Sequence, residues 1–163
     1  MKFAQASFFD IEVLNIPPQY FLDSTHQDKN QVPYLKNIFF QLTISPRSGH
    51  AKGDVAYSDI DNYAEYKARI QQLNFGMEQY LTLKTDQGAY APVLSVMDNT
   101  YGLTDYRKFQ LIFSPPDNCV DFYDSSQWEL IFRDEIFESG THSFVFERED
   151  WEKANRMFDE MKP

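Results

Sequence analysis

The chain has 163 residues, 17% of them aromatic, a single cysteine and a formal net charge of −10. That length accommodates one domain with a sizeable core, and the acidity argues against nucleic acid or an anionic membrane surface, since no cationic excess exists to neutralise phosphates. Cys119 alone can form neither an intrachain disulfide nor a cysteine zinc site, and no apolar run approaches the ~18 residues of a membrane helix.

Taken in chain order, Phe9, Ile11 and Val13 alternate with Asp10 and Glu12, which predicts a strand over about 8–14. Pro17-Pro18 ends it, because neither proline can donate to a ladder. A long polar connection over 15–35 carries Tyr20, Phe21 and Tyr34; connections of that length are uncommon unless functional or mobile. Ile38, Phe40, Leu42 and Ile44 give the cleanest alternation, a strand over 37–44 with Phe40 at its centre. Ser58, with Asp61 three residues on, resembles a capping box and predicts a helix over 59–74. Tyr63, Tyr66, Ile70 and Leu73 would form its buried stripe, and Gly76 would close it.

Leu81 and Leu83 mark a strand over 79–84, Asp86-Gln87-Gly88 a tight hairpin loop, and the next strand runs over 90–97. Pro92 inside it points to a sheet edge or a bulge. Three further period-2 runs follow. Phe109, Leu111 and Phe113 lie on 108–113, Trp128, Leu130 and Phe132 on 128–134, and Phe144 and Phe146 on 142–147. A last helix over 150–161 would bury Trp151, Ala154, Phe158 and Met161. Seven strands and two added helices in a single domain over 1–163 argue for a mainly β, antiparallel sandwich.

Chemistry is sparse. His26, His50 and His142 share no metal spacing and read as solvated. Neither GxSxG nor a P-loop is present. Carboxylates pair cheaply (Asp121 with Asp124, Asp59 with Asp61, Asp134 with Glu135 and Glu138), but nothing fixes the separation that glycoside hydrolysis needs. Asp59 and Asp61 suit a helix start. Asp98-Asn99-Thr100-Tyr101-Gly102 lacks the acid series of a calcium loop. Asp117 and Asp121 would keep Cys119 an inert thiol. No catalytic residue, metal ligand or cofactor site is expected.

Tyr80-Leu81-Thr82-Leu83, Gly88-Ala89-Tyr90-Ala91-Pro92, Arg107 to Phe113 and Leu130-Ile131-Phe132-Arg133-Asp134 give a strand, a glycine turn, a Tyr-x-Pro strand and an FxLxF strand. In these the chain resembles immunoglobulin-like β-sandwich domains of bacterial surface lipoproteins and secreted accessory proteins. The resemblance implies a non-enzymatic binding or accessory domain outside the cytoplasm, with no catalytic residue carried over. Asp10 and Glu12 interrupt any signal-like apolar core, and no lipidation cysteine stands near Met1. The extracytoplasmic expectation therefore implies a leader removed ahead of Met1; without one, the expectation is a cytoplasmic chain.

If successive strands run antiparallel, the connections at 15–35, 85–89 and 114–127 share one end of the sandwich. Tyr20, Phe21, Tyr34, Phe122 and Tyr123 gather there as the candidate site for a protein or carbohydrate partner. The alternatives are a carbohydrate-binding module that stacks sugars on loop aromatics, and a hydrolase using a carboxylate pair.

Overall fold

The computed structural model describes residues 1–6, 8–21, 36–47, 53–101, 103–115 and 122–160, apart from the side chains of Gln19, Phe21, Tyr123, Ala154, Asn155 and residues 157–160. Nine strands among them form two antiparallel sheets packed face to face. Five belong to the first sheet: β1 (Lys2–Gln5), β2 (Phe9–Ile16), β3 (Ile38–Pro46), β6 (Leu94–Met97) and β7 (Arg107–Phe113), in the order β1-β2-β3-β7-β6. The second contains β4 (Leu81–Thr85), β5 (Gly88–Tyr90), β8 (Gln127–Asp134) and β9 (Gly140–Glu147), in the order β5-β4-β8-β9. Helix α1 (Tyr63–Phe75) lies between β3 and β4, and α2 (Arg148–Glu160) follows β9.

The period-2 patterns produce this core directly. Ile11 and Val13, Phe40 and Leu42, and Phe109 and Leu111 face inward from the first sheet, opposite Leu83, Leu130, Phe132 and Phe144. The ring centroids of Phe40 and Phe146 lie 5.1 Å apart across the two layers. Large rings let four- and five-stranded layers fill the space between them.

Several expectations are corrected. The run at 90–97 is two strands, not one: β5 leaves the second sheet at Tyr90, and β6 enters the first at Leu94. Pro92 sits in the switch, where neither ladder needs its missing N–H. β1 adds a strand at the opposite edge that no alternation announced, since its four residues put Phe3 out and leave Lys2 half-buried.

α1 begins four residues later than expected, at Tyr63. Asn62 is its N-cap: Asn62 Oδ1 accepts from Glu65 N at 3.0 Å, while Glu65 Oε2 accepts from Asp61 N at 3.3 Å. Asp59 belongs to the preceding turn, with φ 53°. Gly76 does close the helix, its N–H donating to the Gln72 carbonyl. A Cβ at Gly76 would come within 3.1 Å of that carbonyl oxygen. α2 starts at Arg148, two residues early; Trp151 packs half-buried on the core.

The pairings fix the ends of the sandwich. The strand ends at Ile16, Ile38, Thr85, Phe113 and Gln127 lie at one end, where Ser125 Oγ donates to Asp86 Oδ1 at 2.5 Å. Those at Pro46, Leu81, Met97, Arg107, Asp134 and Gly140 lie at the other, where Val55 N donates to Asp105 O at 2.8 Å.

Candidate functional site

Of the five aromatics expected at the first end, the structure describes the side chains of Tyr20 and Phe122. Tyr20 stands on the turn Pro18–Phe21 and is 64% exposed. Phe122 is buried: its ring meets Tyr90 edge-on at 4.8 Å, and Trp128 Nε1 donates to its carbonyl at 3.0 Å. It plugs the core mouth. Tyr34 and the side chains of Phe21 and Tyr123 lie outside the described residues, as do His26, His50 and Cys119. A groove nearby is lined by Asp124, Glu147, Glu149 and Glu152, with Arg148 as its one cation among the described residues.

Tyrosines instead converge at the opposite end. Of the predicted buried stripe of α1, Leu73 is fully buried, Tyr66 and Ile70 pack half-buried against the core, and Tyr63 is exposed. The reason is position: α1 crosses the end of the sandwich, and its first turns overhang the rim. Arg69 ties it down, donating to the carbonyls of Ala56 and Ser58 and lying 5.1 Å over the Phe137 ring. Tyr57, from the turn Val55–Tyr57, stacks on Tyr66 at 3.9 Å with the rings 6° from parallel, and the Tyr63 ring is 6.2 Å away. Burial, then the hydrogen bond with Tyr57 and the nearby Asp54, raise the Tyr66 pKa above the usual phenol value.

Between α1 and the 98–106 loop opens a cleft of about 300 Å³. Tyr66, Ile70 and Asn74 form one wall, Met97 and Asp98 to Tyr101 the other, and Arg107 lines it from the sheet. The loop is shaped by its own polar side chains. Asn99 Oδ1 accepts from Tyr101 N at 3.1 Å, and Leu103 N donates to Thr100 O at 2.9 Å. This holds Tyr101 at φ 51°, strained for a residue with a Cβ, and leaves its ring 83% exposed. Among the described residues, the three non-glycine positions with positive φ, Asp59, Tyr101 and Glu138, all lie at this end.

Arg107 is the first residue of β7 and faces inward. Its Nη2 pairs with Asp54 Oδ2, and its Nη1 donates to Thr100 Oγ1 at 2.6 Å. Asp54 Oδ1 in turn caps the Val55–Tyr57 turn through Ala56 N at 2.9 Å. One ion pair thus joins the segment before α1 to the loop that walls the cleft.

A second cluster holds the residue types of a hydrolase triad in the wrong order. Ser139 Oγ lies between Asp134, to which it donates, and His142 Nε2 at 2.8 Å. Asp134 Oδ1 also accepts from Ile136 N and Phe137 N, and Oδ2 from Ser139 N. The carboxylate therefore caps the β8–β9 turn, and the histidine does not stand between acid and serine as a base would. His142, expected to be solvated, is half-buried and hydrogen-bonded. Arg133 Nε and Glu135 pair at 3.2 Å on the exposed side of the same turn.

Comparison with family models, curated proteins and solved structures returned no match to this chain.

Proposed function

We propose that the chain is a non-enzymatic binding or accessory domain whose recognition site is the cleft between α1 and the 98–106 loop. The observation that carries this reading is one preformed cleft lined by Tyr66 and Tyr101 and braced by the Asp54–Arg107 pair, with Tyr57 and Tyr63 packed beside it against Tyr66. Tyrosine suits recognition because a rigid ring loses little rotamer entropy and keeps a polar tip. Exposed rings grouped at one end are also unfavourable without a partner to cover them. The order of Ser139, Asp134 and His142 favours binding over hydrolysis, since each carboxylate oxygen of Asp134 is already committed to the turn. An immunoglobulin-like assignment and an extracytoplasmic setting belong to the same reading and rest on the sequence resemblance.

The test is a map of backbone amide shifts under a mixed library of small probes: phenols, hexoses and dipeptides. The reading expects the shifts to gather in 63–74 and 97–107. Shifts gathered at 17–21 and 122–127, or scattered over the surface, would contradict it.

A further inference from the structure

We infer that the cleft takes a neutral saccharide ring, held at its edge by Arg107 and at its face by tyrosine; this rests on the cleft being the recognition site. The defining feature is a donor with nothing to donate to. Arg107 is 5% exposed, and two of its nitrogens are engaged by Asp54 and Thr100, but its Nε is buried without a partner among the described residues. Buried donors are almost always paired, because an unpaired one forfeits its hydration for nothing. Arg107 lines the cleft, and a ligand seated there can supply the acceptor once the guanidinium turns toward it, since Nε itself has almost no accessible surface.

Charge narrows the class. Asp54 already neutralises the guanidinium, and Asp98 lines the same cleft. An anionic ligand would enter beside an uncompensated carboxylate, on a chain of net charge −10. The acceptor for Arg107 is therefore a neutral oxygen.

The remaining polar groups then fit hydroxyls. Asn74 gives one amide proton to the Ile70 carbonyl and keeps its oxygen to accept and a second proton to donate. Asn99 spends its oxygen on Tyr101 N, which leaves its amide nitrogen to donate. Thr100 accepts from Arg107 and keeps its hydroxyl proton. Donors and acceptors thus both face a cleft that carries a tyrosine ring on each wall, Tyr66 and Tyr101, and a hydroxyl satisfies either kind. About 300 Å³ is at the small end of ligand sites, which suits one sugar ring rather than a folded partner.

The experiment titrates the full chain with neutral hexoses, N-acetylhexosamines and their disaccharides, alongside the matching uronates. The signals followed are the Arg107 Nε–H and the backbone amides of Thr100 and Tyr101. At least one neutral sugar should move all three saturably, and bind more tightly than its uronate. Tyr101→Ala should weaken that sugar roughly fivefold through lost ring contact, with an unchanged melting temperature because the ring is exposed. Tyr101→Phe should retain binding. A uronate that binds more tightly than its neutral parent overturns the inference. So does a cleft that answers only to dipeptide probes, an outcome that leaves the cleft as the recognition site. Probe-induced shifts confined to other surfaces would end both readings.

Discussion

Arg107 occupies a place that the alternation of β7 reserves for core residues: Phe109, Leu111 and Phe113 face inward, and period 2 puts residue 107 on the same side. Starting that strand at 108 hides the fact. Carrying the alternation back one residue would have flagged a cation pointed into an apolar layer, which needs a partner. What no pattern supplies is the partner itself, since Asp54 lies 53 residues away in sequence. The pair makes a testable demand. Asp54→Ala leaves the buried guanidinium uncompensated and should destabilise the fold by roughly 3–5 kcal/mol in urea. Pairing Asp54→Leu with Arg107→Met should recover most of that loss, because an apolar replacement removes both charges. A single Asp54→Ala variant as stable as the parent would mean that the pair is not buried as described.

At the level of elements, alternation located strands well and helices less well. β3 is where its pattern puts it, with Phe40 1% exposed at its centre. The break between β5 and β6 was signalled by Pro92, but a proline marks only the interruption; which sheet each half joins depends on pairings with β4 and β7. For α1 the spacing of Tyr63, Tyr66 and Ile70 was read correctly as one face, yet a face says nothing about whether core lies beneath it. The edges are joined by a smaller contact. Lys2 of β1 reaches Asp150 of α2 at 3.0 Å, and Asp150 also accepts from Glu147 N at 3.2 Å, as the third residue of a capping box does. The hydrogen bond from Lys2 holds the Asp150 pKa below its usual value, against the opposing effect of burial. A carboxylate with a depressed folded pKa stabilises the fold above its ordinary pKa and loses that contribution as pH falls through the depressed one. The stability gap between the parent and Asp150→Asn should therefore be present at pH 6, shrink below about pH 4 and shrink with salt, since the pair is partly exposed. A gap constant from pH 6 to pH 2 would show that the tie contributes nothing electrostatic.

For the molecule as a whole, the two-layer antiparallel architecture and the sorting of connections between its ends were legible, because both follow from strand direction alone. The proposed cleft was not. Tyr20 and Phe122 sit on the end predicted for them, but the sequence does not distinguish a ring that projects from one that plugs, and Phe122 plugs. Conversely, helical spacing is usually a core signal and predicts burial for both Tyr63 and Tyr66; Tyr66 does pack half-buried on the core, while Tyr63 at the helix start is exposed. The most direct measurement of the central claim compares the two ends in one experiment. Tyr63→Ser/Tyr101→Ser and, separately, Tyr20→Ser are titrated with the small-probe library while amide shifts and melting temperature are recorded. The account predicts that the double variant loses the probe response at 63–74 and 97–107 with its melting temperature unchanged, and that Tyr20→Ser keeps that response in full. Loss of the response in Tyr20→Ser, with the double variant unaffected, would contradict it.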